Sequence, residues 1–267
     1  MTDAPWIFHW NVDPVLIHLG PLAIRYYSLG FILGFYIGYA YMKSIFTKKG
    51  FSKTALDDLL LYVFWGTIIG ARLGHCLFYE PEVYLRDPIA ILKVWEGGLA
   101  SHGGTLGVII AVYFYCRRYP DITMKFLADE LTFPIAITAG FIRLGNLFNS
   151  EIIGRPTGAD WGVIFDRVDA IPRYPAQLFE SIAYFATAFL ILIWQKRSAW
   201  LNEPLRRNGL MFAMIFTARF FIEFFKEVQV SFEESMPLDM GQLLSIPFIT
   251  FGVWALFRKI PARPDSK

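Results

Sequence analysis

Long apolar stretches alternate with short polar, often basic, segments along the whole chain. Seven stretches stand out, at 22–42, 57–79, 99–116, 126–148, 176–195, 209–230 and 241–257. A membrane-spanning helix needs about 20 predominantly apolar residues, and a helix satisfies its own backbone polar groups where no water can. The pattern therefore predicts an all-α, polytopic membrane protein with seven transmembrane helices. The fourth and sixth stretches carry charges and fit the template least well. No repeat or low-complexity tract divides the chain, so 1–267 reads as a single integral-membrane domain. The longest polar stretch, about 150–175, is rich in Gly, Pro and Asp and too short to fold alone. It reads as a small extracytoplasmic cap over the membrane interface.

Composition agrees with this class. The chain is 55% hydrophobic and 18% aromatic with a mean hydropathy of +0.42, which excludes an ordinary soluble domain. Charge sets the orientation. Lys43, Lys48, Lys49 and Lys53, then Arg117, Arg118 and Lys125, then Lys196, Arg197, Arg206 and Arg207, and finally Arg258, Lys259, Arg263 and Lys267 fall on one side. The other side has only Arg86, Lys93, Arg155, Arg167 and Arg173. The positive-inside rule then puts the N-terminus outside and the C-terminus in the cytoplasm, as an odd helix count requires. A net charge of +2 gives no reason to expect a nucleic-acid partner. Residues 1–20 lack a basic start and an apolar run, so the first helix is expected to stay as an uncleaved anchor. Cys76 and Cys116 fall near opposite membrane faces, which argues against a disulfide and for two unreactive thiols.

The cations left over change the picture most. Arg25, Arg72, Arg143, Arg219 and Lys226 lie within the apolar stretches. A cation at membrane depth is costly and usually faces the bundle interior, meets an anion and marks a functional site. Arg143, Asn146 and Asn149 share one side of a helix, followed by Glu151. Guanidinium and amide donors on one face suit phosphate oxygens. An Arg–Glu pair that only fixes helix packing would use the same residues. Gly140 and Gly145 would let a backbone or ligand approach closely. Arg219 and Glu223, four residues apart, can pair on one helix face, whereas Lys226 and Glu227 read as snorkelling to the interface.

Gly97-Gly98-Leu99-Ala100-Ser101-His102-Gly103-Gly104 brings irregular backbone and an imidazole to a helix start. His102 suits proton transfer near neutrality, or a hydrogen bond to a neighbouring helix; His75 reads as structural. Tyr26 and Tyr27 fit an interfacial aromatic belt, with Tyr27 or Arg25 within reach of a lipid headgroup. Arg72 is either a headgroup contact or a partner for Glu80. Asp57, Asp58, Asp129 and Glu130 read as solvated or capping groups.

Several motifs, in order, resemble the bacterial prolipoprotein diacylglyceryl transferases over nearly the whole chain. They are Asp13-Pro14, Gly20-Pro21 and Tyr27; Trp95-Glu96-Gly97-Gly98 leading to His102-Gly103-Gly104; and Gly140 through Thr157, containing Arg143, Asn146, Glu151 and Gly154. Pro172 through Glu180, Arg219 with Glu223, and Met240 through Pro247 complete the series. Ile142, Leu147, Arg25 and Ile215 depart from the usual pattern, the first two where helices pack and the last two where polar contacts to lipid are usual.

The resemblance implies transfer of the diacylglyceryl unit of phosphatidylglycerol to the lipobox cysteine of a preprolipoprotein. A thioether forms and glycerol phosphate leaves, without metal or organic cofactor, in the bacterial inner membrane. Arg143 and Arg219 would take the phosphate and His102 would assist thiol deprotonation. Tyr27, Asn146, Glu151, Gly154 and Glu223 would complete the phosphatidylglycerol site. The competing reading is a membrane transporter for an anionic solute or lipid, weakened by the lack of repeated halves with matching broken helices. A light-sensing receptor would need a lysine in 241–257, and an intramembrane protease a Gly-x-Ser-x-Gly or paired intramembrane aspartates. Neither signal occurs.

Overall fold

A computed structural model describes residues 6–20, 22–94, 97–227 and 236–259. Pro21, Trp95, Glu96, Arg263 and Lys267, named above, lie outside the described residues. Nine α-helices and four short strands occur among the described residues, and large apolar side chains such as Tyr36, Leu77 and Trp254 are exposed along the helices. That inversion is what a lipid-facing surface demands. The protein is a polytopic helical membrane protein.

Four helices are long and apolar enough to span: α1 (Tyr26–Lys49), α2 (Lys53–Phe78), α7 (Ala176–Arg197) and α9 (Met240–Phe257). A fifth candidate is the pair α5 (Met124–Glu130) and α6 (Thr132–Asn149), bent by 45° at its break. The expected continuous helix at 126–148 is thus broken. Between them lie α3 (Pro81–Arg86) and α4 (Ser101–Arg118), and α8 spans Arg206–Glu223. α4, which opens on Ser101-His102-Gly103-Gly104, and α8, with four charged residues, are as long as α9 but not apolar enough to join the candidate spans.

Contacts divide the chain into two compact units, residues 1–38 with 128–267, and 39–127. In the first unit, β1 (Trp6–Trp10) pairs in parallel with β4 (Trp161–Phe165), and β2 (Val15–Leu19) pairs antiparallel with β3 (Leu22–Arg25). The expected first span therefore starts at Tyr26 rather than residue 22. On α1, Gly30, Gly34 and Gly38 stack one turn apart against Phe141, Thr138 and Pro134 of α6. Small residues at this spacing let membrane helices approach closely. Leu147, Ile153 and Phe165 form a buried cluster, with Trp10, Leu144 and Val163 packed on it. It ties the end of α6 to the strand layer.

At the other end of this unit, Asp129 accepts from the backbone N–H groups of Leu205 and Asn208, and Glu130 takes both Nη atoms of Arg207 at 2.8 Å. Asp129 is a cap, as expected, but a buried one. It satisfies donors at the start of α8 that have no partner within the helix.

The second unit is built on α2 and α4. Gly66, Gly70 and Gly74 lie directly against Gly103 and Gly107, so closely that an added Cβ would meet backbone. Ser52 caps α2 by accepting from Ala55 N–H, and Tyr115 donates to Ala55 C=O at 2.9 Å. Gly97 and Gly98 have φ of +93° and +68°, a conformation glycine adopts without a Cβ clash. Their carbonyls accept from Arg72, as do those of Ala90 and Ile91. Arg72 is 3% exposed and also lies 4.9 Å over the Tyr84 ring. It is a backbone clamp and not the Glu80 partner. Glu80 stands 3.7 Å from His75 instead, and His75 stacks on Tyr79. Cys76 is buried and Cys116 half-buried, both as free thiols.

Candidate active site: a buried ion cluster beside the α6 terminus

The C-terminal turn of α6 assembles the motif that the sequence singles out. Helical spacing puts Arg143 and Asn146 on one face, and Nη1 of Arg143 donates to Oδ1 of Asn146 at 3.3 Å. The helix then stops abruptly. Ser150 (φ 55°) and Ile152 (φ 55°) are both left-handed, although neither is glycine. For a β-branched residue this is a genuine outlier, and such strain concentrates at functional sites. The two twists turn the chain so that Glu151 faces back toward the helix end. Its carboxylate accepts from Asn146 at 3.3 Å and Asn149 at 3.2 Å. Gln177, wholly buried at the start of α7, donates to the Glu151 carbonyl at 2.7 Å and pins the turn.

Arg143 is held from a second side. Its Nε meets Oε2 of Glu180, on α7, at 2.9 Å, and Tyr184, one turn further on, hydrogen-bonds both partners. The other carboxylate oxygen of Glu180 meets Lys226 at 2.9 Å, and Lys226 also pairs with Glu223 at 3.0 Å. Arg219 is half-buried on α8, close enough for its charge to act on Glu180 and Tyr184. Three cations and three carboxylates thus converge in one region of the first unit. Guanidinium and ammonium groups gathered in this way offer charge-assisted donors of the kind that suit a phosphodiester.

Close approaches complete the setting. Gly145 admits the Tyr27 ring, Gly140 admits that of Phe185, and an added Cβ at Gly241 would collide with the Glu223 carboxylate. The room expected at Gly140 and Gly145 is therefore filled by side chains. Tyr27, at the start of α1, is half-buried and within electrostatic reach of Glu151 and Arg143. Gly154 lies between the carbonyls of Tyr174 and Phe225, where no Cβ would fit, and its N–H donates to Tyr174 C=O. Beneath it, Arg173 binds Asp169 through Nε and Nη2, Gly154 C=O at 3.1 Å and Glu227 at 3.0 Å. The Arg173 guanidinium holds the Asp169 carboxyl below its usual range. This clamp ties both ends of the 154–173 loop to Glu227, next in sequence to Lys226.

The structure thus brings Tyr27, Arg143, Asn146, Glu151, Gly154, Arg219 and Glu223 into one unit. His102 lies in the other, exposed in the first turn of α4. Arg25 is exposed in β3. Two expectations need correcting. Glu223 pairs with Lys226 rather than with Arg219, three residues apart at a helix end where the chain curls. Lys226 does not snorkel; it is 4% exposed, because two carboxylates surround it. Glu180, Gln177 and Tyr184 belong to the site as well; the first two fall within the 172–180 motif without an assigned role, and Tyr184 lies beyond it. An acid in the apolar 176–195 stretch is the available signal for Glu180, since a buried carboxylate is as costly as a buried cation. Among the described residues no three His, Cys, Asp or Glu side chains are grouped to hold a metal ion.

Comparison with known proteins converges on one group. The family described as prolipoprotein diacylglyceryl transferase matches residues 14–258. A phosphatidylglycerol–prolipoprotein diacylglyceryl transferase of Tolumonas auensis is 48% identical over 244 residues, covering 91% of this chain and 94% of its own. The protein of that name from Chloroherpeton thalassium is 46% identical and covers 97% of both chains. A more distant one, from Rickettsia akari, is 37% identical over 94% of this chain and 98% of its own.

Proposed function

The chain belongs to the prolipoprotein diacylglyceryl transferase family, and from that premise we propose how its residues divide the work. The enzyme transfers the diacylglyceryl group of phosphatidylglycerol to the lipobox cysteine of a preprolipoprotein. Sulfur attacks the glyceryl carbon, the carbon–oxygen bond to phosphate breaks, and glycerol phosphate leaves with the bonding electrons while the thiol loses its proton.

Arg143 and Arg219 receive the phosphate, whose negative charge grows as that bond breaks. Preorganised cations aimed at developing charge usually contribute more to such catalysis than any other single effect. Asn146 and Glu151 orient the Arg143 side of the site, Glu223 balances its charge, and Tyr27 contacts the headgroup region. Gly154 gives the loop its close approach. His102 assists thiol deprotonation, and nearby cations lower the thiol's demand for a base.

The observation carrying this reading is Arg143, gripped by Glu180 and Asn146 beside a strained turn. The test combines purified protein, phosphatidylglycerol and a lipobox peptide. The wild type should yield a peptide heavier by one diacylglyceryl group and Arg143→Ala should not; lipid-independent flux of an anionic solute without that adduct would instead favour a transporter.

The same reading fixes the setting. The chain forms one membrane domain in the bacterial inner membrane, with α4, the α5–α6 pair and α8 completing seven spans. The N-terminus is outside, the C-terminus is cytoplasmic, and residues 150–175 cap the outer face. Asymmetry of Lys and Arg supports that orientation. Cysteine scanning with a membrane-impermeant reagent checks it, with labelling expected at 160 and not at 197 in intact spheroplasts.

A further inference from the structure

We infer that Glu180 is a positioning residue for the transfer, setting where two cations stand relative to the phosphate. The inference rests on the phosphate role of Arg143 proposed above. Glu180 is 0% exposed, and its two oxygens serve different elements: Oε2 takes Arg143 of α6 and Oε1 takes Lys226 beyond the end of α8, each at 2.9 Å. One carboxylate therefore fixes the separation of both cations. The grip on Arg143 is at Nε, so the guanidinium plane is set while Nη1 faces Asn146, on the side where the motif gathers. Lys226 is steadied by a second carboxylate, Glu223, so Glu180 links the α6 motif to the end of α8.

A buried ion pair is weak evidence of stabilisation, since apolar residues of similar volume often serve as well. Simple packing therefore explains this arrangement poorly. Fixing charged groups to within a fraction of an ångström explains it better, because small misplacements of a catalytic group cost large factors in rate.

The test is steady-state transfer in detergent micelles with phosphatidylglycerol and a lipobox peptide. Glu180→Gln keeps the volume and an acceptor but removes the charge. It should lower kcat at least about tenfold while changing KM for phosphatidylglycerol by less than about threefold. Glu180→Asp, which keeps the charge but withdraws it by one methylene, should recover part of the lost kcat. The double variant Glu180→Gln/Lys226→Met removes both charges of the pair and guards against misfolding of the single variant. Its kcat should stay low, because Arg143 still lacks its partner. Wild-type kcat in Glu180→Gln, or its restoration in the double variant, would reduce Glu180 to a counter-ion needed only for assembly. Arg143→Gln run alongside separates the two ideas. If it retains turnover, the phosphate reading fails; if it is inactive while Glu180→Gln is normal, only the positioning role fails.

Discussion

Arg72 and Arg143 look alike along the chain, each a lone guanidinium in an apolar stretch close to glycines, yet the structure uses them in opposite ways. Arg72 spends its donors on four backbone carbonyls of the 90–98 segment and lies over Tyr84. Arg143 meets side chains instead, a carboxylate from α7 and an amide from its own helix, within a cluster of further charges. Carbonyls that already belong to the fold make a closed structural joint. A guanidinium held by side chains at Nε and Nη1 keeps further N–H donors that an incoming anion can use. Burial of a cation at membrane depth announces a specialised site, but its partners decide which kind.

The contrast can be broken most directly by removing each guanidinium. Arg143→Ala should cut transfer per folded molecule by about 10²–10³-fold, the loss typical of one preorganised charge-stabilising donor, on top of the destabilisation expected when buried Glu180 loses a partner. Arg72→Met should lower stability alone. Four carbonyls lose their partner, so the unfolding midpoint in detergent should fall by about 5–10 °C while activity per folded molecule stays close to wild type. Equal activity losses in the two variants would erase the distinction.

Arg143→Lys sharpens it further. Charge survives but the planar fork does not, so an intermediate loss of about tenfold in kcat/KM is expected.

The smallest effect concerns a third arginine, Arg173, which clamps the 154–173 loop. Asp169 titrates below its ordinary value when folded because of Arg173. Its contribution is therefore complete above the unfolded aspartate value of about 4 and is lost as pH falls through the lower folded value. Asp169→Asn should leave the loop's backbone exchange at pH 7 slightly faster than wild type, and should flatten the loss of protection, relative to the intrinsic exchange rate, below about pH 4.

Part of this is legible from residue order. Four of the seven apolar runs coincide with helices long and apolar enough to span, a fifth with the bent α5–α6 pair, and the spacing of Arg143, Asn146 and Asn149 places them along one helix side, where they bond to one another or to Glu151. The strands are not legible. β1 and β4 pair across about 150 residues of chain, each only five residues long, so neither carries a local signal of its partner. Glu180 is present in a motif, but its role escapes for a different reason. Attention to intramembrane cations alone passes over acids, and a carboxylate within an apolar helix is half of the same electrostatic problem. Lys226 misleads because sequence position near a helix end suggests solvent, and only the fold reveals the two carboxylates that enclose it.

The glycine seam between α2 and α4 carries a consequence for how this chain can change. With Gly66, Gly70 and Gly74 meshed against Gly103 and Gly107, the two helices touch main chain to main chain. A one-residue insertion in either would rotate everything beyond it by about 100° and drive ordinary side chains into that seam. Drift in length is therefore closed along this seam, and α2 and α4 can lengthen only beyond it, at their outer ends and in the loop between them.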